Sequence, residues 1–158
     1  MAVPFIRIFG DKEVMLGINR GVRLARDMKP ALELVADDVM RVIRATFMSQ
    51  GRRYGGSWAH LDPDTIREKV KHGQDPRILI ATEALMNSWS RRGPNQRLRV
   101  TGSYIELDSK LAYGDVHQEG DEERGLPARP FIAFDPRDEI RWAKIAERQL
   151  LKAMGLGV

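Results

Sequence analysis

By residue type alone, His117 is the side chain best suited to chemistry. Asp115 and Glu119 flank it at offsets of two, and a His–carboxylate pair can move a proton. On a strand such offsets share a face; on a helix they do not. No second partner stands nearby in sequence, so a His117-centred hydrolase is a minor reading. His60, His72 and His117 show no metal-ligand spacing, and the chain has no cysteine. That removes thiolate metal sites and thiol nucleophiles. A metal site assembled in space from His60, His117 and a carboxylate is a weaker alternative still. Asp62 and Asp64 look like a metal pair, but Asp62 ahead of Pro63 is explained more simply as a helix N-cap. There is no Gly-x-Ser-x-Gly elbow, and Gly51, Gly55 and Gly56 lack the Gly-Lys-Ser/Thr ending of a phosphate loop. No cofactor and no catalytic activity are expected.

The densest run of special residues is 113–131. Tyr113, His117, Gln118, Gly120, Pro127, Arg129, Pro130 and Phe131 fall in one short connection. Pro130 forces Arg129 into an extended conformation, and Pro127 does the same to Leu126. A stiff backbone holds the Arg129 guanidinium in one direction. The expected partner is a carboxylate, bonded bidentately within the fold or across an interface. The segment is thus a catalytic corner or a rigid structural hook.

Charge adds a second theme. The chain has 158 residues and a net charge of +4. Arg91, Arg92, Arg97 and Arg99 cluster without an acid among them, whereas Glu119, Asp121, Glu122 and Glu123 form an acidic run. Opposite patches on one chain suit head-to-tail self-association. The same arginines could instead face DNA, which needs positive charge but no base-reading geometry. Arg52, Arg53, Tyr54, Trp58 and His60 form an aromatic-basic loop able to stack on single-stranded nucleic acid. Trp58 beside Ala59 and Leu61 reads more simply as an anchor into the core.

These residues need a frame. At 42% hydrophobic and 30% charged, the chain supports one modest core. No apolar run reaches membrane-spanning length and no signal pattern opens the chain, so a soluble, intracellular protein is expected. Residues 1–12 read as an arm or edge strand and 13–158 as a single α+β domain. A short helix is expected within 14–28. The spacing of Leu32, Val35, Val39, Val42, Ile43, Thr46 and Phe47 predicts a long helix over 30–50, stopped by Gly51. Further helices are expected over 63–71 and 78–90. Period-2 alternation predicts a hairpin of strands 98–101 and 104–107. Residues 111–117 extend the sheet or make a helical turn, and 131–134 read as a strand. Asp135-Pro136 with Asp138 opens a last helix over 136–154, with Ile140, Ala143, Ala146, Leu150 and Met154 as its stripe. The fold class is α+β: a long helix and shorter helices on one small antiparallel sheet, with a C-terminal helix.

Taken in order, Phe47, Gln50-Gly51-Arg52, Trp58, Leu61, Thr65, Arg67, Lys69, Ile78-Leu79, Thr82, Leu85, Ser88, Tyr113, His117-Gln118-x-Gly120 and Pro127-Ala128-Arg129-Pro130-Phe131 resemble the phage virion morphogenesis family. The likeness covers about residues 30–150. The chain departs from the family pattern at Thr82-Glu83-Ala84 and at Glu119. The resemblance implies a non-enzymatic structural protein of the virion, present in the host cytoplasm during assembly. It implies a ring subunit, a hexamer foremost, at the neck or tail end, next to connector, tail-terminator or tail-tube proteins. The alternative is a small basic nucleic-acid-binding protein using Arg52, Arg53, Trp58, Arg91 and Arg92.

Overall fold

The computed structural model describes residue 16, residues 19–23 and residues 26–156. The expected arm at 1–12 lies outside them. Residues 19–23 are helical, inside the short helix expected there.

Helix α1 (Lys29–Met48) is the spine. Pro30 sits in its first turn, where no intrahelical N–H is needed. Its inward face carries Val35, Ala36, Met40, Val42, Ile43, Thr46 and Phe47. Gln50, at φ 55°, takes the left-handed position that ends it, one residue before the expected Gly51, which follows at φ 79°. A Cβ there would collide with the Trp58 ring. A 3-10 turn (Arg52–Tyr54) follows, then α2 (Pro63–Lys71), with the Asp62 carboxylate accepting the Asp64 N–H at 2.7 Å. Helix α3 (Ala84–Ser90), strands β1 (Gln96–Val100) and β2 (Ile105–Ser109), α4 (Tyr113–Glu119) and α5 (Pro136–Met154) complete the order. The strands pair antiparallel from Gln96↔Ser109 to Val100↔Ile105. Helix α1 packs on α3, α5 and β1. The architecture is α+β.

One cluster forms the core: Ile43, Phe47, Trp58, Ile78, Ile80, Leu85, Met86, Trp89 and Phe131. Phe47 lies at its centre, tilted on Phe131 with ring centroids 5.0 Å apart and edge-on to Trp58 at 5.7 Å. Both contacts fall in the favoured range for aromatic pairs.

Three expectations change. The helix foreseen over 78–90 is only α3. Leu79 and Glu83 adopt left-handed φ angles of 58° and 59°, which interrupt a right-handed helix. The Gln50 side chain also takes both backbone groups of Ile78, accepting its N–H at 2.7 Å and donating to its carbonyl at 3.3 Å. Residues 131–134 are not a strand. The Gln118 side chain, rather than a neighbouring strand, bonds the backbone there. Residues 113–119 take the helical alternative. Finally, Ile140 on α5 is exposed, because the face turned toward α1 is led by Asp138, Arg141 and Trp142.

Candidate functional site

The 113–131 corner is built inward. Gln118 Oε1 accepts the Phe131 and Ile132 N–H groups, both at 3.0 Å, and its Nε2 donates to the Ile132 carbonyl at 3.1 Å. One amide thus satisfies three backbone groups that no strand reaches. The Arg129 N–H donates to the His117 carbonyl at 2.7 Å, and Trp58 Nε1 donates to the Pro130 carbonyl at 3.1 Å. Gly120 makes the turn possible. Its φ is 85°, and a Cβ there would meet the Ala128 nitrogen at 2.8 Å. Phe131 is fully buried. The prolines therefore deliver Phe131 into the core and hold it there.

Arg129 differs from expectation. Among the described residues no carboxylate pairs with it. Its Nε and Nη2 both donate to the Ala59 carbonyl, at 3.3 and 3.2 Å. It is 6% exposed, and burial pushes its pKa down. The expected bidentate ion pair is replaced by a fork on one backbone oxygen, which ties the corner to the 55–62 loop. Burial also pushes the His117 imidazole below its ordinary value, with the Arg129 charge adding to that shift. His117 Nδ1 is buried without a hydrogen-bond partner among the described residues. Asp115 and Glu119 do not reach the imidazole: among the described residues it contacts the Tyr113 ring edge-on, with centroids 6.2 Å apart. No group of three or more His, Asp or Glu among the described residues could hold a metal ion.

The basic residues divide. Arg53 pairs with the fully buried Asp138 at 2.5 Å. Arg92 bonds Glu33 and Asp37, both at 2.9 Å, and Arg97 bonds Asp108 at 3.1 Å. Arg99 lies over the Tyr104 ring, 5.7 Å from its centroid. Arg52 and Arg91 make no ion pair with a described residue. Of the acidic run, Asp121 pairs with Arg124 at 3.2 Å, and Glu119, Glu122 and Glu123 are exposed.

Two features escape a linear reading. The first is an ionic hub joining α1 to α5. Asp38 accepts from Arg141 at 2.8 Å, from Trp142 at 2.9 Å and from Arg41; Asp138 accepts from Arg53 and from Arg141 at 2.7 Å. Burial works against the Asp38 charge, but the donors of Arg41, Arg141 and Trp142 hold its pKa below the usual carboxylate range. Its members lie up to 104 positions apart, beyond any local pattern. The second is a groove of about 530 Å³ between the 52–61 loop, Ile66 of α2 and residues 76–78. Trp58, Leu61 and Ile66 line its apolar part, and Arg52, His60 and Arg77 its polar part. Helix α2 has no buried residue. Among the described residues no helix is long and apolar enough to cross a membrane.

Comparison with known proteins places this geometry in context. Residues 10–151 match the model of the phage virion morphogenesis family. An uncharacterized protein of Methanocaldococcus jannaschii is 29% identical over 77 residues, which is 48% of this chain and 53% of that one. The chain thus spans about half the length of that relative. No solved structure gives a significant match.

Proposed function

The chain belongs to the phage virion morphogenesis family, and on that premise we propose that it is a ring-forming neck or tail-completion subunit that joins or finishes the tail at the head–tail interface. A role in phage morphogenesis and a place in the virion follow from the family. The family points to a structural rather than a catalytic role. The observation that carries the reading is the family match from residue 10 to residue 151, which takes in the corner, the core and the groove together. A rigid body with charged surfaces of both signs supports assembly into a closed ring. Connector, tail-terminator or tail-tube proteins are its proposed neighbours, with packaged DNA in the lumen.

The nucleic-acid-binding alternative draws little support from the geometry. Of its five residues, Trp58 is buried with its indole N–H bonded to Pro130. Arg53 and Arg92 are engaged by carboxylates of the same chain. Base stacking needs an accessible ring.

The test is removal of the protein during particle assembly. Electron microscopy is expected to show filled heads and tails that remain unjoined or unfinished, and the wild-type protein is expected in purified particles. Normal particles without it would contradict the proposal.

A further inference from the structure

The acidic run at 119–123 needs a complement if it serves assembly, and the arginines at 91–99 are poor candidates. Arg92 and Arg97 already face carboxylates of their own chain and Arg99 covers Tyr104, which leaves Arg91 alone of the four with neither an ion pair nor a ring contact to a described residue. The groove beside α2 is different. Its described lining residues include Arg52 and His60 and no carboxylate. Arg77 in its wall is matched by Asp75. Behind the loop, Arg129 is buried without an acid, and its charge also weighs on Lys69, whose pKa burial lowers. Of α2, Ile66 lines the groove; it and Val70, one turn further along the helix, are 38% and 59% exposed. An amphipathic helix ordinarily buries its apolar stripe.

The acidic segment is shaped to enter such a site. Asp121 and Leu126 exchange backbone hydrogen bonds, both at 2.8 Å, closing a tight turn. Asp121 also accepts the Arg124 N–H at 3.0 Å, and Gly125 takes a left-handed φ of 65°. Glu122 and Glu123 stand at the tip, exposed and without an ion pair to any described residue. A preformed turn loses little conformational freedom on docking.

We propose that the groove between the 52–61 loop and α2 receives the acidic turn Glu122–Glu123 of a second copy of this chain. The assignment rests on the ring reading above and names the two surfaces that meet. Arg52 supplies the positive charge of the rim, His60 a hydrogen-bonding imidazole, and Ile66 the apolar contact, with Val70 exposed one turn further along α2. Arg52 complements the acidic turn, and the apolar lining of Trp58, Leu61, Ile66 and Ile78 favours a peptide turn over a phosphate backbone.

The chain has no cysteine, so single thiols report cleanly. Arg52→Cys and Glu122→Cys, each exposed and distant from the core, are purified separately, mixed and treated with a short bis-maleimide. The experiment is run in concentrated solution and again in particles assembled from both variants. The mixed pair is expected to give a covalent dimer about tenfold above either variant alone. Reversing both charges together, Arg52→Glu with Glu122→Arg, is expected to recover self-association that either reversal alone weakens. A mixed pair that crosslinks no better than the single variants, in solution and in particles, overturns the proposal. So does stronger crosslinking of Glu122→Cys with Arg91→Cys. If the protein is in the particle and the pair does not react there, the contact is wrong and the virion reading stands. Crosslinking in solution by a protein absent from particles leaves the contact standing and removes the virion reading.

Discussion

In the corner, the Gln118 amide satisfies three backbone groups of Phe131 and Ile132, and Arg129 spends its fork on the Ala59 carbonyl. In α2, across that same loop, no residue is buried. The two regions are neighbours with opposite economies of contact. The corner holds the unusual residues and turns His117, Gln118, Arg129 and Phe131 into the fold, while Tyr113, Pro127 and Pro130 stay exposed. Helix α2 looks ordinary in sequence and leaves its apolar stripe toward solvent. Unusual residues at close spacing mark the place where the chain has a hard folding problem: bringing Phe131 into the core without a partner strand. The surface available for assembly lies where folding leaves contacts unmade.

The sharpest test of the corner is Gln118→Ala. It strands backbone donors and an acceptor beside the core, at a cost of about 3 kcal/mol. For a chain of this size that lowers the Tm by roughly 6–12 °C. Thermal melting followed by circular dichroism checks it, and an unchanged Tm would break the contrast. Gly120→Ala is expected to cost about 2 kcal/mol, through left-handed strain and the clash with the Ala128 backbone; urea titration measures it.

His117 provides a smaller, pH-dependent effect. Its folded pKa lies below the unfolded value, so the native state binds fewer protons as pH falls past the ordinary imidazole value of about 6.5. Its contribution to stability is present above that pH and is lost as pH drops toward the depressed folded pKa. Melting curves between about pH 7.5 and pH 5.5 are expected to fall less steeply for His117→Leu than for the wild type. Parallel curves would mean that the imidazole titrates as it does in the unfolded chain. The smallest stability effect belongs to α2. Val70→Lys is expected to shift folding by no more than about 0.5 kcal/mol, yet to weaken self-association measured by sedimentation. A large loss of stability would show that α2 is part of the core after all.

Much of the frame was legible in the residues. The spacing from Val35 to Phe47 fixed α1, Asp62-Pro63 and Asp135-Pro136 marked helix starts, and Gly155 marked the end of α5 at φ 79°, whereas α1 ends on the left-handed Gln50, one residue before Gly51. The hairpin appeared one or two residues from its expected bounds. The two misread elements share a cause. Gln50 and Gln118 replace regular backbone pairing with side-chain amides, so periodicity suggested a helix at 78–83 and a strand at 131–134 where neither exists. The Asp38–Arg141–Asp138–Arg53 hub was invisible because its members meet only after α1 and α5 pack. Of the candidate site, the corner was recognised, but its inward direction was not. The carboxylate expected for Arg129 is a carbonyl instead, since an extended backbone sets direction and not partner. The 91–99 arginines looked uncompensated only because Glu33 and Asp37, distant in sequence, are brought to Arg92 by the fold.

The contrast between an inward corner and an outward groove is tested most directly by hydrogen–deuterium exchange on the free protein and on assembled particles. The amides of Arg129, Phe131 and Ile132 are expected to be protected in both states, because their bonds are internal. Residues 52–78 are expected to slow on assembly, as the groove and α2 become covered. Slowing confined to 113–131, with 52–78 unchanged, would contradict the account.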